Sequence, residues 1–89
     1  MKKEIESVST KNAGKNGVDY FLTTTVVKVS EIENAQQHED ARRELNEIKP
    51  YCSGNSVYSF LIIEANFNSF KAKTFGNCIE ELEKIGYTF

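Results

Sequence analysis

The chain has 89 residues, a formal net charge of −2 and a hydrophobic fraction of 39%. That is enough for one modest core, and the acidic balance argues against a non-specific nucleic-acid binder, which needs a strong positive field. Two cysteines, Cys52 and Cys78, are too few for a disulfide scaffold, and the longest apolar run, residues 60–63, is far too short to span a bilayer. The N-terminus carries charge without an apolar segment, so it does not read as a signal peptide. A cytoplasmic protein with reduced thiols is expected. So thin a core would gain from burial against a second copy, and a homodimer fits the size.

Residues 1–17 read MKKEIESVSTKNAGKNG. Only Ile5 and Val8 offer anchors, and Gly14 and Gly17 break any regular pattern. Lys2, Lys3, Lys11 and Lys15 against Glu4 and Glu6 give 4 − 2 = +2, which leaves −4 for the rest. The expectation is a flexible, slightly basic leader over 1–17, followed by a single α+β domain over 18–89.

Residues 18–30, VDYFLTTTVVKVS, are rich in threonine, valine and aromatics and predict a strand. Alternation sets Val26 and Lys28 on one face and Thr25, Val27 and Val29 on the other. A helix follows over 31–49. Ser30 with Glu33 offers one capping start and Asn34 with Gln37 a second. Ala41, Leu45 and Ile48 form the apolar stripe, with Ile32 off it, a mismatch that favours either the later start or a first turn packed against something different. Pro50 stops the helix. The solvent face is acidic, with Glu39, Asp40, Glu44 and Glu47, and Glu39 with Arg43 has favourable i,i+4 spacing.

Residues 50–56, PYCSGNS, read as a loop. Residues 57–75 carry the strongest structural signal, VYSFLIIEA, then NFNS, then FKAKTF, which reads as a β-hairpin. Apolar residues on both faces of the first strand predict a central, buried position. Phe70, Ala72 and Thr74 against Lys71, Lys73 and Phe75 predict a half-exposed second strand. The last helix spans 78–85, with an Asn77–Glu80 capping signature and Gly86 placed to end it. The tail, 87–89, is β-prone and could form a short edge strand.

The expected fold is thus α+β, in the order β-α-β-β-α with room for a short C-terminal strand. Two helices would pack on one face of an antiparallel sheet, a split βαβ-like arrangement.

No chemistry-bearing motif emerges. His38, the single histidine, lies on the apolar side of its helix and reads as a boundary residue; nothing ties it to Cys52 or Cys78 as a nucleophile. Cys78 begins an apolar stripe and reads as buried. There is no metal-ligand spacing and no phosphate-binding glycine loop. No catalytic residue, metal or cofactor is expected.

A small acidic domain of this kind predicts a non-catalytic protein-binding module: a regulator, adaptor or inhibitor that masks a partner surface. A small protein of a phage or mobile element would suit the profile. The candidate contact residues are Glu39, Asp40, Arg43, Glu44 and Glu47, whose charge would complement a basic surface on a nucleic-acid-processing partner. An exposed sheet edge is the other candidate surface. The alternative is weak binding of single-stranded RNA or DNA through Lys71, Lys73 and Phe75 on an open sheet face. In the plainer reading, these aromatics are core and the lysines solvate an edge.

Overall fold

The computed structural model describes residues 1–12, 14, 16–48 and 59–89. The elements are β1 (Lys2–Asn12), β2 (Phe21–Ser30), α1 (Ala35–Glu47), β3 (Leu61–Asn66), β4 (Ser69–Phe75) and α2 (Ile79–Lys84). The expected loop 50–56, with Cys52, and the start of the expected hairpin at 57–58 lie outside the described residues, as does the Lys49–Pro50 helix stop. From β2 onward the order is the expected β-α-β-β-α. The four strands form one open antiparallel sheet in the order β1-β2-β4-β3. Strands β2 and β3 flank β4, which is the split βαβ arrangement.

The leader expected over 1–17 is corrected: Lys2–Asn12 is a strand, paired with β2 from Lys2↔Ser30 to Asn12↔Phe21. The register shifts between Ile5 and Ser7, so Glu6 is a bulge residue. A bulge moves the following side chains to the opposite face. Ile5 and Val8, three apart in sequence, therefore both pack on the core. Their odd spacing is what hides the strand from a period-two reading.

One cluster holds Ile5 from β1, Val27 and Val29 from β2, Phe70 and Ala72 from β4, Ala41 and Leu45 from α1, and Leu82 from α2. Both helices thus cover the same sheet face. The alternate residues, including Val26, Lys28, Lys71, Lys73 and Phe75, occupy the open face.

Helix α1 takes the later of the two starts. Asn34 is the N-cap, and its Oδ1 accepts from the Gln37 amide at 2.9 Å. Ile32 precedes the helix, is buried, and donates its amide to the Asn68 carbonyl at 3.0 Å. That contact to the β3–β4 turn explains an apolar residue off the helical stripe.

The two hairpin strands exchange their expected places. Strand β4 is central, with Phe70, Ala72 and Thr74 buried, and β3 is the edge, exposed along its whole length. The α1 crossover carries the chain past the slot beside β2, and β4 returns to fill it.

Helix α2 begins at Ile79, one residue later than expected, with Asn77 Oδ1 accepting from the Ile79 amide at 3.4 Å. Its end follows the expected pattern. Gly86 has φ +98°, its amide donates to Glu83, and the Tyr87 amide donates to Leu82. This pair of bonds closes the helix as a Schellman motif. The tail then reaches β1: Ile5 donates to the Thr88 carbonyl at 2.7 Å, and Thr88 donates to the Lys3 carbonyl at 3.4 Å. This isolated parallel bridge is all that forms of a C-terminal strand.

The molecule measures 49 × 22 × 19 Å. Its radius of gyration is 14.1 Å, against about 12 Å for a compact chain of this length. The β1–β2 hairpin extends beyond the rest of the sheet. Its pairing runs on to Asn12↔Phe21, whereas β4 leaves β2 at Thr24. The far end of this arm exposes Val18, Tyr20 and Phe21. Gly14 is required there, because a Cβ would sit 2.1 Å from the Val18 carbonyl oxygen.

Candidate partner-binding surface

Helix α1 buries Ala41 and Leu45 and exposes Glu39, Arg42, Arg43 and Glu47. Its charges are not equally available. Asp40 Oδ1 accepts from Gln36 Nε2 at 2.8 Å and from Arg43 Nη2 at 2.9 Å. Arg43 thus pairs with Asp40, three residues back, and not with Glu39 as its spacing suggested. Glu44 turns toward the sheet and meets Lys3 Nζ at 2.8 Å. Glu39 and Glu47 have no ion pair among the described residues. Together with Arg42, Arg43 and Asn46 they line an open groove of about 480 Å³. Of the five expected contact residues, the groove therefore gathers Glu39, Arg43 and Glu47. Asp40 and Glu44 are engaged within the fold. Sequence reading passed over Arg42 and Asn46, although their three- and seven-residue spacing from Glu39 put them on its face.

His38 is half-buried, its ring centroid 5.1 Å from that of Phe70 at an interplanar angle of 58°. It borders a second groove of about 330 Å³ with Ile32, Asn34 and the fully exposed Phe67. Cys78 is buried, and desolvation pushes its thiol up to about 11; a hydrogen bond with Thr25 opposes the shift and Glu81 adds to it. A thiol neutral at physiological pH is a poor nucleophile. Among the described residues no cluster of His, Cys, Asp and Glu could hold a metal ion, and no helix is long and apolar enough to cross a membrane.

Lys71, Lys73 and Phe75 share the open face, as expected from alternation. Lys71 Nζ lies 3.0 Å from Glu6 Oε1. The hydrogen bond and charge of Glu6, with a smaller effect of Glu64, hold the Lys71 pKa above its ordinary value, opposed by partial desolvation. Lys73 Nζ sits 5.5 Å from the Phe75 ring centroid, within cation–π range. One of the two lysines is thus neutralised by an acid that the bulge in β1 places on this face.

The remaining exposed feature is β3 itself, with Leu61, Ile62 and Ile63 in solvent. Sequence reading assigned these residues to the core, because an apolar strand looks the same at the centre of a sheet and at an unpartnered edge. Comparison with protein-family models, with curated proteins and with solved structures returned no match.

Proposed function

We propose that this chain is a non-catalytic protein-binding module, a cytoplasmic regulator, adaptor or inhibitor that acts by covering part of a partner's surface. The observation that supports this reading best is the outward flank of α1. There, among the described residues, Glu39 and Glu47 stand free of ion pairs beside an open groove that they line with Arg42, Arg43 and Asn46. An acid already paired must give up that partner to bind another; these two need not. The complement is a basic surface, such as one that a nucleic-acid-processing protein turns to its substrate. Opposite charge of this kind speeds encounter and fixes orientation.

Affinity capture from host lysate, with and without nuclease, tests the reading. The expected result is a stoichiometric protein that survives nuclease and is lost from a Glu39→Lys, Glu47→Lys variant. A catch that vanishes with nuclease would overturn it.

The nucleic-acid reading keeps one observation in its favour, the Lys73 ammonium over the Phe75 ring on the open face. The compensation of Lys71 by Glu6 and Glu64 weighs against it. Gel shifts with single-stranded RNA at two salt concentrations separate the two. Binding that weakens steeply with salt belongs to the second reading.

A further inference from the structure

The two edges of the sheet differ. On β1 the stretch from Lys3 to Ile5 is already paired, through Thr88, and the strand is mostly polar and charged. Among the described residues, β3 has no strand paired on its outer side. Leu61 is 59% exposed, Ile62 41% and Ile63 49%. Edges that avoid pairing carry charges, prolines, bulges or a cover. Here there is one charge, Glu64, and one register shift, between Ile62 and Glu64.

That shift creates a self-complementary pattern. Leu61 lies opposite Lys73, Ile62 opposite Ala72 and Glu64 opposite Lys71. Lys71 and Lys73 are on the open face, so Leu61 and Glu64 share that face although three residues apart. Ile62 lies with buried Ala72 on the helix side.

We propose that β3 pairs antiparallel with β3 of a second copy, joining two four-stranded sheets into one of eight across a two-fold axis. An axis between Ile62 and Ile63 sets Leu61 opposite Glu64 of the second copy. One row of the joined open face then runs from Lys71 through Glu64 to Leu61 and Lys73 of the second copy, and symmetry repeats it in reverse. Each Glu64 keeps Lys71 of its own chain on one side and gains Lys73 of the second copy beyond Leu61 on the other. Each Lys73, whose ammonium sits over the Phe75 ring in its own chain, gains an acid two strands away. Two strand spacings are about 10 Å, which a lysine and a glutamate side chain bridge together. Ile62 and Ile63 close on their symmetry mates at the axis. This match of charge and apolar positions is why the occupant is a second copy of the chain.

Sedimentation equilibrium of the full chain over a concentration series tests the proposal. Wild type is expected at twice the monomer mass of 10.1 kDa. The Leu61→Lys, Ile63→Lys variant is expected at the monomer mass with an unchanged circular-dichroism spectrum, since both side chains are exposed in the single chain. Lys73→Gln should weaken the dimer several-fold, and more at low salt than at high salt. A wild type that stays monomeric at every concentration overturns the proposal. So does a dimer that survives both lysine substitutions in β3.

Discussion

Lys3 on β1 meets Glu44 on α1, Nζ to Oε2, at 2.8 Å. The same ammonium donates to the Ile85 carbonyl at 3.0 Å and lies 5.6 Å from the Tyr87 ring centroid. One cation thereby joins the first strand to both helices. Its side chain is only 15% exposed, so salt screens this pair less than an ordinary surface pair. Lys3→Met and Glu44→Gln should each destabilise the fold by about 1 kcal/mol. A double-mutant cycle in urea should return a coupling of about 0.5–1 kcal/mol. Strict additivity would show that the pair contributes nothing.

Strand β1 supplies Ile5 to the core and covers the outer edge of β2. Deleting residues 1–12 should therefore abolish cooperative thermal unfolding, not merely lower its midpoint. Circular dichroism checks this directly. A truncated chain that still melts in one sharp transition would return these residues to the status of a leader.

Among the described residues, the buried hydroxyls Thr74 Oγ1 and Tyr87 Oη have no hydrogen-bond partner. A buried polar group left unpaired costs about 1–3 kcal/mol. Thr74→Val and Tyr87→Phe keep shape and remove that cost, so each should be neutral or stabilising by about 1 kcal/mol. For a domain of this size that gain raises the melting temperature by about 4–8 °C. Tyr87→Ala should instead cost about 3–5 kcal/mol through the cavity it leaves. A clear loss on Tyr87→Phe would reveal a partner for the hydroxyl in solution.

Alkaline pH should weaken the fold through Cys78. Burial raises its thiol from 9.0 to about 11. The unfolded chain loses this proton first, so it holds fewer protons than the folded chain across that window. Stability is then full below about pH 9 and falls toward pH 11. The two-unit displacement corresponds to about 2–3 kcal/mol. Tyr87, pushed upward by burial and by Glu44, acts in the same direction. The melting-temperature gap between wild type and Cys78→Ala should narrow as pH rises from 9 to 11. Parallel curves would mean that the thiol titrates freely in the fold. At neutral pH, alkylation of Cys78 should require unfolding.

Local signals in the sequence were sufficient for several elements. Asn34 and Gln37 offered one of two starts for α1, Gly86 marked the end of α2, and alternation grouped Val27 with Val29 and Phe70 with Ala72. What local signals miss is pairing. Ile5 and Val8 read as scattered because a bulge breaks their period. Leu61, Ile62 and Ile63 read as core because no property of a strand reveals which neighbour it lacks. The site fared similarly. Helical spacing put Glu39, Arg43 and Glu47 together, but Glu44 left that surface for a lysine 41 residues away.

The bridge between Thr88 and β1 also bears on how the chain folds during synthesis. Strand β1 can zip onto β2 as soon as the hairpin has left the ribosome. Its outer edge, however, waits for Thr88, far along the chain. Contacts of such long sequence separation are slow to form, because the long loop must close before they reward it. Until then the nascent sheet keeps both edges unpaired, and this interval is when the protein would most need a chaperone.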